Sequence, residues 1–136
     1  MEKEYTYIGK LNRSILGKYK AQLISEDVIL TNERKNHILL RHREAYVEIL
    51  NSLRELLYNP DYILEDSQNE DTLLMIKEVV INNAGLIVVV KINTNKENEE
   101  KYNSILTFWR IRNRNLKRQL EKNKIIYVKK CMDICE

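Results

Sequence analysis

The sequence is poor in residues that break or staple a chain: among 136 residues there are one proline, three glycines and two cysteines. So little Pro and Gly excludes collagen-like, linker-like and low-complexity chains. The two cysteines, Cys131 and Cys135, sit close together at the C-terminal end. They are too few and too close to staple a domain, and they give no sign of secretion. No apolar run approaches the roughly 18 residues of a membrane span; the longest, 86–90, is strand-sized and β-branched. The opening residues, Met1-Glu2-Lys3-Glu4-Tyr5, are polar and charged rather than signal-like. The expectation is a soluble, cytoplasmic protein with no membrane association. A Gly-rich phosphate loop and a Gly-x-Ser-x-Gly elbow are both missing, which argues against an NTPase or a serine hydrolase.

What is present is the composition of a folding domain, 43% hydrophobic and 32% charged, with a net charge of +3. Its length predicts one monomeric domain over 1–136, with 131–136 as a short C-terminal tail. Residues 5–9 read as a strand, 12–20 as a polar stretch with a short helix, and 27–30 as a second strand. Thr31 or Asn32 is placed to cap a helix running through His37-Ile38-Leu39-Leu40-Arg41-His42. Tyr46, Ile49, Leu50, Leu53, Leu56 and Leu57 then recur at helical spacing until Asn59-Pro60-Asp61. After Pro60 the period changes, and 62–64, 72–81, 85–92 and 102–111 read as strands joined by polar turns too short for helical crossovers. Residues 113–122 form a short basic helix and 125–128 a last strand. The fold class is α+β: N-terminal helices packed on a twisted, mainly antiparallel β-sheet of about four to six strands.

Three features carry possible chemistry. Between Arg110 and Lys130 lie nine basic residues and one acid, Glu121. Such an excess is either the footprint of a phosphate-backbone binder, with Arg110, Arg112, Arg114, Lys117 and Arg118 foremost, or a solvated face balanced by the acidic turns 65–71 and 97–100. Both histidines fall in one hexapeptide. Arg41 lies one turn after His37 on the same helical face, whereas His42 is rotated by roughly 140° unless the helix ends there. A histidine beside guanidinium groups suits acid–base work on a phosphodiester, and the plainer reading is one packed and one surface histidine. The strand 102–110 mixes hydroxyl, amide, aromatic and guanidinium groups. Strict alternation puts Asn103, Ile105, Thr107 and Trp109 on one face and Ser104, Leu106, Phe108 and Arg110 on the other. Trp109 either stacks a base or fills the core. Lys77 and Lys91 interrupt apolar strands, as phosphate contacts or as snorkelling positions. Cys131 and Cys135 with His37 and His42 lack zinc-knuckle spacing, so no metal or other cofactor is expected.

The motif order Asp27-Val28-Ile29-Leu30-Thr31, His37-Ile38-x-x-Arg41-His42, Asn59-Pro60-Asp61-Tyr62-Ile63, Asn103-Ser104-Ile105-x-Thr107 and Lys124-Ile125-Ile126-Tyr127 resembles the phage and polymorphic-toxin nucleases grouped with barnase, EndoU, colicin and RelE toxins. The resemblance spans about residues 5–129. It implies a small sheet with helices on one face and a metal-independent RNA-cutting cleft on the other. The 2′-hydroxyl would attack its own phosphorus, leaving a cyclic phosphate and a 5′-hydroxyl. His37, Arg41, His42, Ser104 and Thr107 fall on the implied catalytic positions, and Lys77, Trp109, Arg110, Arg112, Arg114, Lys117, Arg118 and Tyr127 would hold RNA. Ser104 and Thr107 reach one cleft only if a bulge interrupts their strand. Partners implied are RNA, including tRNA, and a cognate immunity or antitoxin protein, with action in a bacterial cytoplasm. The alternatives are a non-catalytic RNA- or DNA-binding module and a phage structural or interaction protein.

Overall fold

The computed structural model describes residues 4–79, 84–94 and 101–129. Cys131, Cys135, Lys130 and the acidic 97–100 turn lie outside them. Strand β1 (Tyr5–Lys10) is followed by two short 3₁₀ turns, Arg13–Ile15 and Gly17–Lys20, and by β2 (Asp27–Thr31). Residues 12–20 thus form two tight turns where one short helix was expected. Asn12 caps the first through its side chain, and Gly17, at φ +56°, supplies the left-handed residue that separates them. Arg13 ties this segment to the sheet, donating to Lys20 O, Leu23 O and the Glu26 carboxylate.

Three helices follow: α1 (Asn32–Arg41), α2 (Arg43–Leu50) and α3 (Leu53–Tyr58). Thr31 is the N-cap of α1, its hydroxyl accepting from the Arg34 N–H. The stretch carrying Tyr46 through Leu57 is two helices rather than one. Asn51 and Ser52, short polar residues that compete for backbone bonds, interrupt it, and the Ser52 N–H closes a tight turn onto Ile49 O at 2.8 Å. The break keeps Ile49, Leu53, Leu56 and Leu57 all buried.

The remaining elements are β3 (Tyr62–Glu65), β4 (Thr72–Val79), β5 (Ala84–Lys91), β6 (Asn103–Arg112), α4 (Asn113–Lys122) and β7 (Lys124–Val128). All seven strands form one open sheet in the order β1-β2-β6-β5-β4-β3-β7. The sheet is larger than the four to six strands expected because both short terminal segments join it. Every pairing is antiparallel except β2 with β6, which run parallel through Val28–Asn103 and Ile29–Ser104. That pair is permitted because the long chain between its strands supplies the crossover.

Asn103 fastens this short seam. Its buried amide donates to Ser25 O and Asp27 O and accepts from the Asn93 N–H at 2.8 Å. Asn123 does the same work at the opposite edge, accepting from the Ser67 N–H and donating to Gln119 at the end of α4. Asp61, in the Asn-Pro-Asp turn, accepts from the Glu78 N–H at 2.7 Å and joins β3 to β4 and β7 through its own backbone.

The two faces of the sheet carry separate cores. The larger packs Val28, Leu30, Ile63, Met75, Val88, Ile105 and Phe108 against α1, α2 and α3. The smaller packs Leu74, Ile76, Ile87, Val89 and Ile111 against Leu116 and Leu120 of α4. β6 serves both faces through an irregularity that strict alternation misses. Val89 pairs with Thr107 and Val90 with Ile105, leaving Leu106 as an extra residue. Ile105 and Phe108 therefore share the helix-side core, while Leu106 and Trp109 join the α4 side. Ser104 pairs with Lys91 and Thr107 with Val89, so both hydroxyls fall on the α4 side of the sheet.

Candidate functional site

Because β2 covers only the first two residues of β6, the rest of that edge is left to α1 and α2, which pack alongside it. α1 is ten residues long, about 15 Å at 1.5 Å per residue. A cavity opens at each of its ends.

At the C-terminal end, α1 stops at Arg41. The His42 N–H makes a last helical bond to Ile38 O, and the His42 carbonyl accepts from the Tyr46 N–H to start α2. With φ −139° and ψ 50°, His42 itself is outside both helices. This one-residue break turns the imidazole onto the Trp109 ring, with centroids 6.1 Å apart and planes inclined by 25°. Around them lies a cavity of about 490 Å³ lined by Leu40, Arg41, His42, Arg43, Glu44, Trp109 and Arg110. His42 and Trp109 are half-buried, and the three arginines and Glu44 are exposed. Among the described lining residues three guanidiniums stand against one carboxylate, a positive balance suited to a phosphate. Leu40, 86% exposed, adds an apolar rim.

At the N-terminal end of α1, a larger cavity of about 720 Å³ is lined by Glu4, Tyr5, Ile29, Thr31, Asn32, Glu33, Lys101, Tyr102 and Ser104. Tyr5 and Tyr102 meet here at 5.5 Å between ring centres. Their hydrogen bond raises the Tyr102 phenol above the ordinary tyrosine value.

The structure separates the expected catalytic set. Arg41 and His42 share the first cavity, and Ser104 lines the second. His37 is exposed on α1, one turn before Arg41, and lines neither. His37 and Arg41 keep the expected one-turn spacing within α1, but the end of that helix at Arg41 brings His42, and not His37, to the cavity that Arg41 lines. Thr107 is half-buried on the α4 side of the sheet and also lines neither cavity.

The expected RNA contacts divide in the same way. Trp109 is both core and cavity wall, packing on the α4-side cluster while facing His42. Arg114 and Lys117 line a shallow cavity of about 420 Å³ beside α4 with Glu78 and Leu116, and Arg112 and Arg118 are exposed nearby. Leu116 and Leu120 hold the inner face of α4, which turns Arg114, Arg118 and Lys122 outward. Tyr127 packs on the helix-side core. Lys77 is held by the Asp61 carboxylate at 3.7 Å and by Asn59 O at 3.5 Å, and the Lys91 ammonium donates to Glu70 O at 2.8 Å. Both lysines close turns of the sheet.

Residues 28–131, well over half of the chain, match the phage MuF C-terminal domain family. The chain belongs to that family. The match runs from β2 through β7 and includes both α1 and the whole of β6, so both cavities are built mainly from the family's own elements. No curated protein and no solved structure matches the chain.

Glu44 and Tyr102 were not among the expected site residues. On an unbroken helix Glu44 would stand about 200° around from His42; only the break at His42 brings the two to one cavity. Tyr102 looks like a strand end in sequence, and its proximity to Tyr5 depends on β2 lying between β1 and β6.

Proposed function

We propose that this phage domain is a metal-independent endoribonuclease of the barnase–EndoU–colicin–RelE kind. The observation that carries the reading is His42, held between two helices against Trp109 in a cavity with three arginines and one carboxylate. An RNA phosphate seated among Arg41, Arg43 and Arg110 would have its charge neutralised as the phosphorane forms. Glu44 is the group suited to take the 2′-hydroxyl proton. The freed oxygen then attacks the adjacent phosphorus, the P–O5′ bond breaks, and imidazolium His42 gives its proton to the departing 5′-oxygen. The products are a 2′,3′-cyclic phosphate and a 5′-hydroxyl. Trp109 limits the motion of the imidazole, and the outward arginines of α4 supply a second contact for the RNA backbone. This assignment needs one histidine, not two. RNA, including tRNA, is the proposed substrate, and an immunity or antitoxin protein the proposed natural partner.

The test is incubation with total cellular RNA in excess chelator, with fragment ends mapped. Wild type and His37→Ala should cut and leave cyclic ends, whereas His42→Ala should lose about 10²-fold or more in rate. Intact RNA with salt-sensitive binding would replace this reading by a non-catalytic RNA-binding module, which the basic face of α4 favours. Absence of nucleic-acid affinity at physiological salt would favour a phage structural or interaction role, which agrees with the family.

A further inference from the structure

The sheet ends on two edge strands, β1 and β7, and they are guarded unequally. Strand β7 carries Lys124 at one end and Lys129 just past the other, and the extra residue Ile126 interrupts its register with β3. Charges and a bulge are the usual protection of a sheet edge. The opening of β1, Tyr5-Thr6-Tyr7, is uncharged, β-prone and regularly paired, and its bulge comes only afterwards, between Tyr7 and Gly9. The Asn32 N–H donates to Glu4 O at 2.9 Å. In an antiparallel ladder this sets the backbone groups of Glu4 and Thr6 toward β2 and turns those of Tyr5 and Tyr7 to the open side, where no strand among the described residues pairs with them. Beside this edge, between β1 and α3, lies a further cavity of about 630 Å³, whose walls include Tyr7, Lys10, Arg54, Glu55 and Tyr58. Tyr7 is 44% and Tyr58 53% exposed. α3 comes so near the strand that a Cβ on Gly9 would meet Arg54 Cγ at 3.3 Å.

We propose that this edge is the interface of a two-fold homodimer, in which Tyr5-Thr6-Tyr7 pairs antiparallel with the same residues of a second copy and α3 lies beside its counterpart. The segment is self-complementary. About an axis at Thr6, Tyr5 faces Tyr7 of the second copy and Thr6 faces its own equivalent, and aromatic and Thr–Thr pairs both favour antiparallel strands. The same pairing brings the Glu4 end of one strand to the Lys10 end of the other. Antiparallel edge strands that continue one sheet are related by an axis perpendicular to it, so the helices of both copies fall on the same side. The exposed face of α3 then meets itself: Tyr58 of each copy closes the cavity walled by Tyr7, and Arg54 of one copy stands against Glu55 of the other. A contact of this kind needs an apolar centre and both signs of charge on one patch, and this patch holds them. It shares no residue with the lining of the His42 cavity, so the dimer leaves that cavity open and does not depend on the ribonuclease reading.

The experiment measures the mass of the full chain by light scattering and analytical sedimentation over a concentration series. Wild type should approach twice the mass of one chain as concentration rises. Arg54 and Glu55 are both exposed, so changing them spares the core. Arg54→Glu and Glu55→Arg should each raise the dimer dissociation constant by about tenfold or more, because each sets like charges against one another across the axis. The two changes combined exchange the pair rather than remove it, and should restore the dimer. Tyr58→Ala, which alters no charge, should weaken the dimer through lost apolar contact. Wild type with the mass of one chain at every concentration overturns the proposal. So does a dimer that none of the single variants weakens, since its contact would lie on another face. Failure of the combined variant to restore a dimer lost in both single variants would overturn the pairing of α3 with its counterpart.

Discussion

The two ends of α1 are one helix length apart and are furnished oppositely. Among the described residues, three arginines and a histidine face one carboxylate at the C-terminal end, and two carboxylates and two tyrosines face one lysine at the N-terminal end. A cleft with one sign of charge throughout would bind phosphates anywhere along it. On the function proposed above, this division sets the place suited to the charge that builds during phosphoryl transfer apart from the other end of the helix. A helix achieves this simply, because its C-terminus ends on the partial negative charge that guanidiniums complement and its N-terminus on the partial positive charge that Glu33 complements.

The largest expected effect separates the ends by rate. His42→Ala should lower RNA cleavage by about 10²–10⁴-fold, and Tyr102→Ala by no more than a few-fold, read as initial rates on the same RNA. Comparable losses in both variants would mean that the two cavities form one site. Next is stability at the seam that positions the N-terminal end. Asn103→Ala leaves the Asn93 N–H and two carbonyls without the amide that joins them. It should cost about 3 kcal/mol in urea unfolding, since each buried group left unpaired costs on the order of 1–3 kcal/mol. Asn123→Ala, at the far edge, should cost less because its partners lie nearer solvent.

A smaller effect concerns affinity alone. Neutralising Arg112, Arg114 and Arg118 together should lower the slope of log affinity against log salt by about 2 for single-stranded RNA, at roughly 0.7 per phosphate contact. Binding titrations over a salt series read this, and an unchanged slope would remove α4 from the interface. The smallest effect is the response to acid. Glu65, bonded by Lys18 and Tyr19, and Glu26, bonded by Arg13, both titrate below the ordinary glutamate value in the folded chain. Asp27 is lowered as well, chiefly by the Tyr7 hydroxyl, which donates to it at 2.9 Å. As pH falls, the unfolded chain therefore takes up these protons first. The stability the three carboxylates carry is complete above the ordinary carboxylate range and is lost as acidification passes through that range to their folded values. Glu26→Gln should flatten the acid limb of a plot of melting temperature against pH, with little change at neutrality. All three residues sit away from the His42 cavity, so the same substitution should leave the cleavage rate at neutral pH unaltered.

Much of the architecture was legible because it depends on local pattern. Short apolar, β-branched runs between polar turns marked the strands, the limits of α4 were set by its two leucines and their polar flanks, and Thr31 was recognisable as a cap. What was illegible depends on where chain segments meet. The bulge at Leu106 reverses the facing of the second half of β6, and nothing in the run Ile105-Leu106-Thr107-Phe108-Trp109 distinguishes it from a regular strand. Asn103 reads as one polar residue in a strand until β2 is laid parallel beside it, when its amide becomes the fastening of the seam. Lys77 reads as a cation for phosphate until the Asn59-Pro60-Asp61 turn folds onto it.

By itself, the sequence determined the fold class, the membership of a phage domain family and the residue types available for chemistry, since each of these follows from order and spacing along the chain. Which residues share a site was decided by the tertiary structure. The helix break at His42 joins it to Glu44 and Trp109 and leaves His37 outside, and the insertion of β2 between β1 and β6 brings Tyr5 to Tyr102. Side chains far apart in sequence meet only when packing fixes the direction of each backbone segment, and that direction is set by buried contacts made elsewhere in the fold.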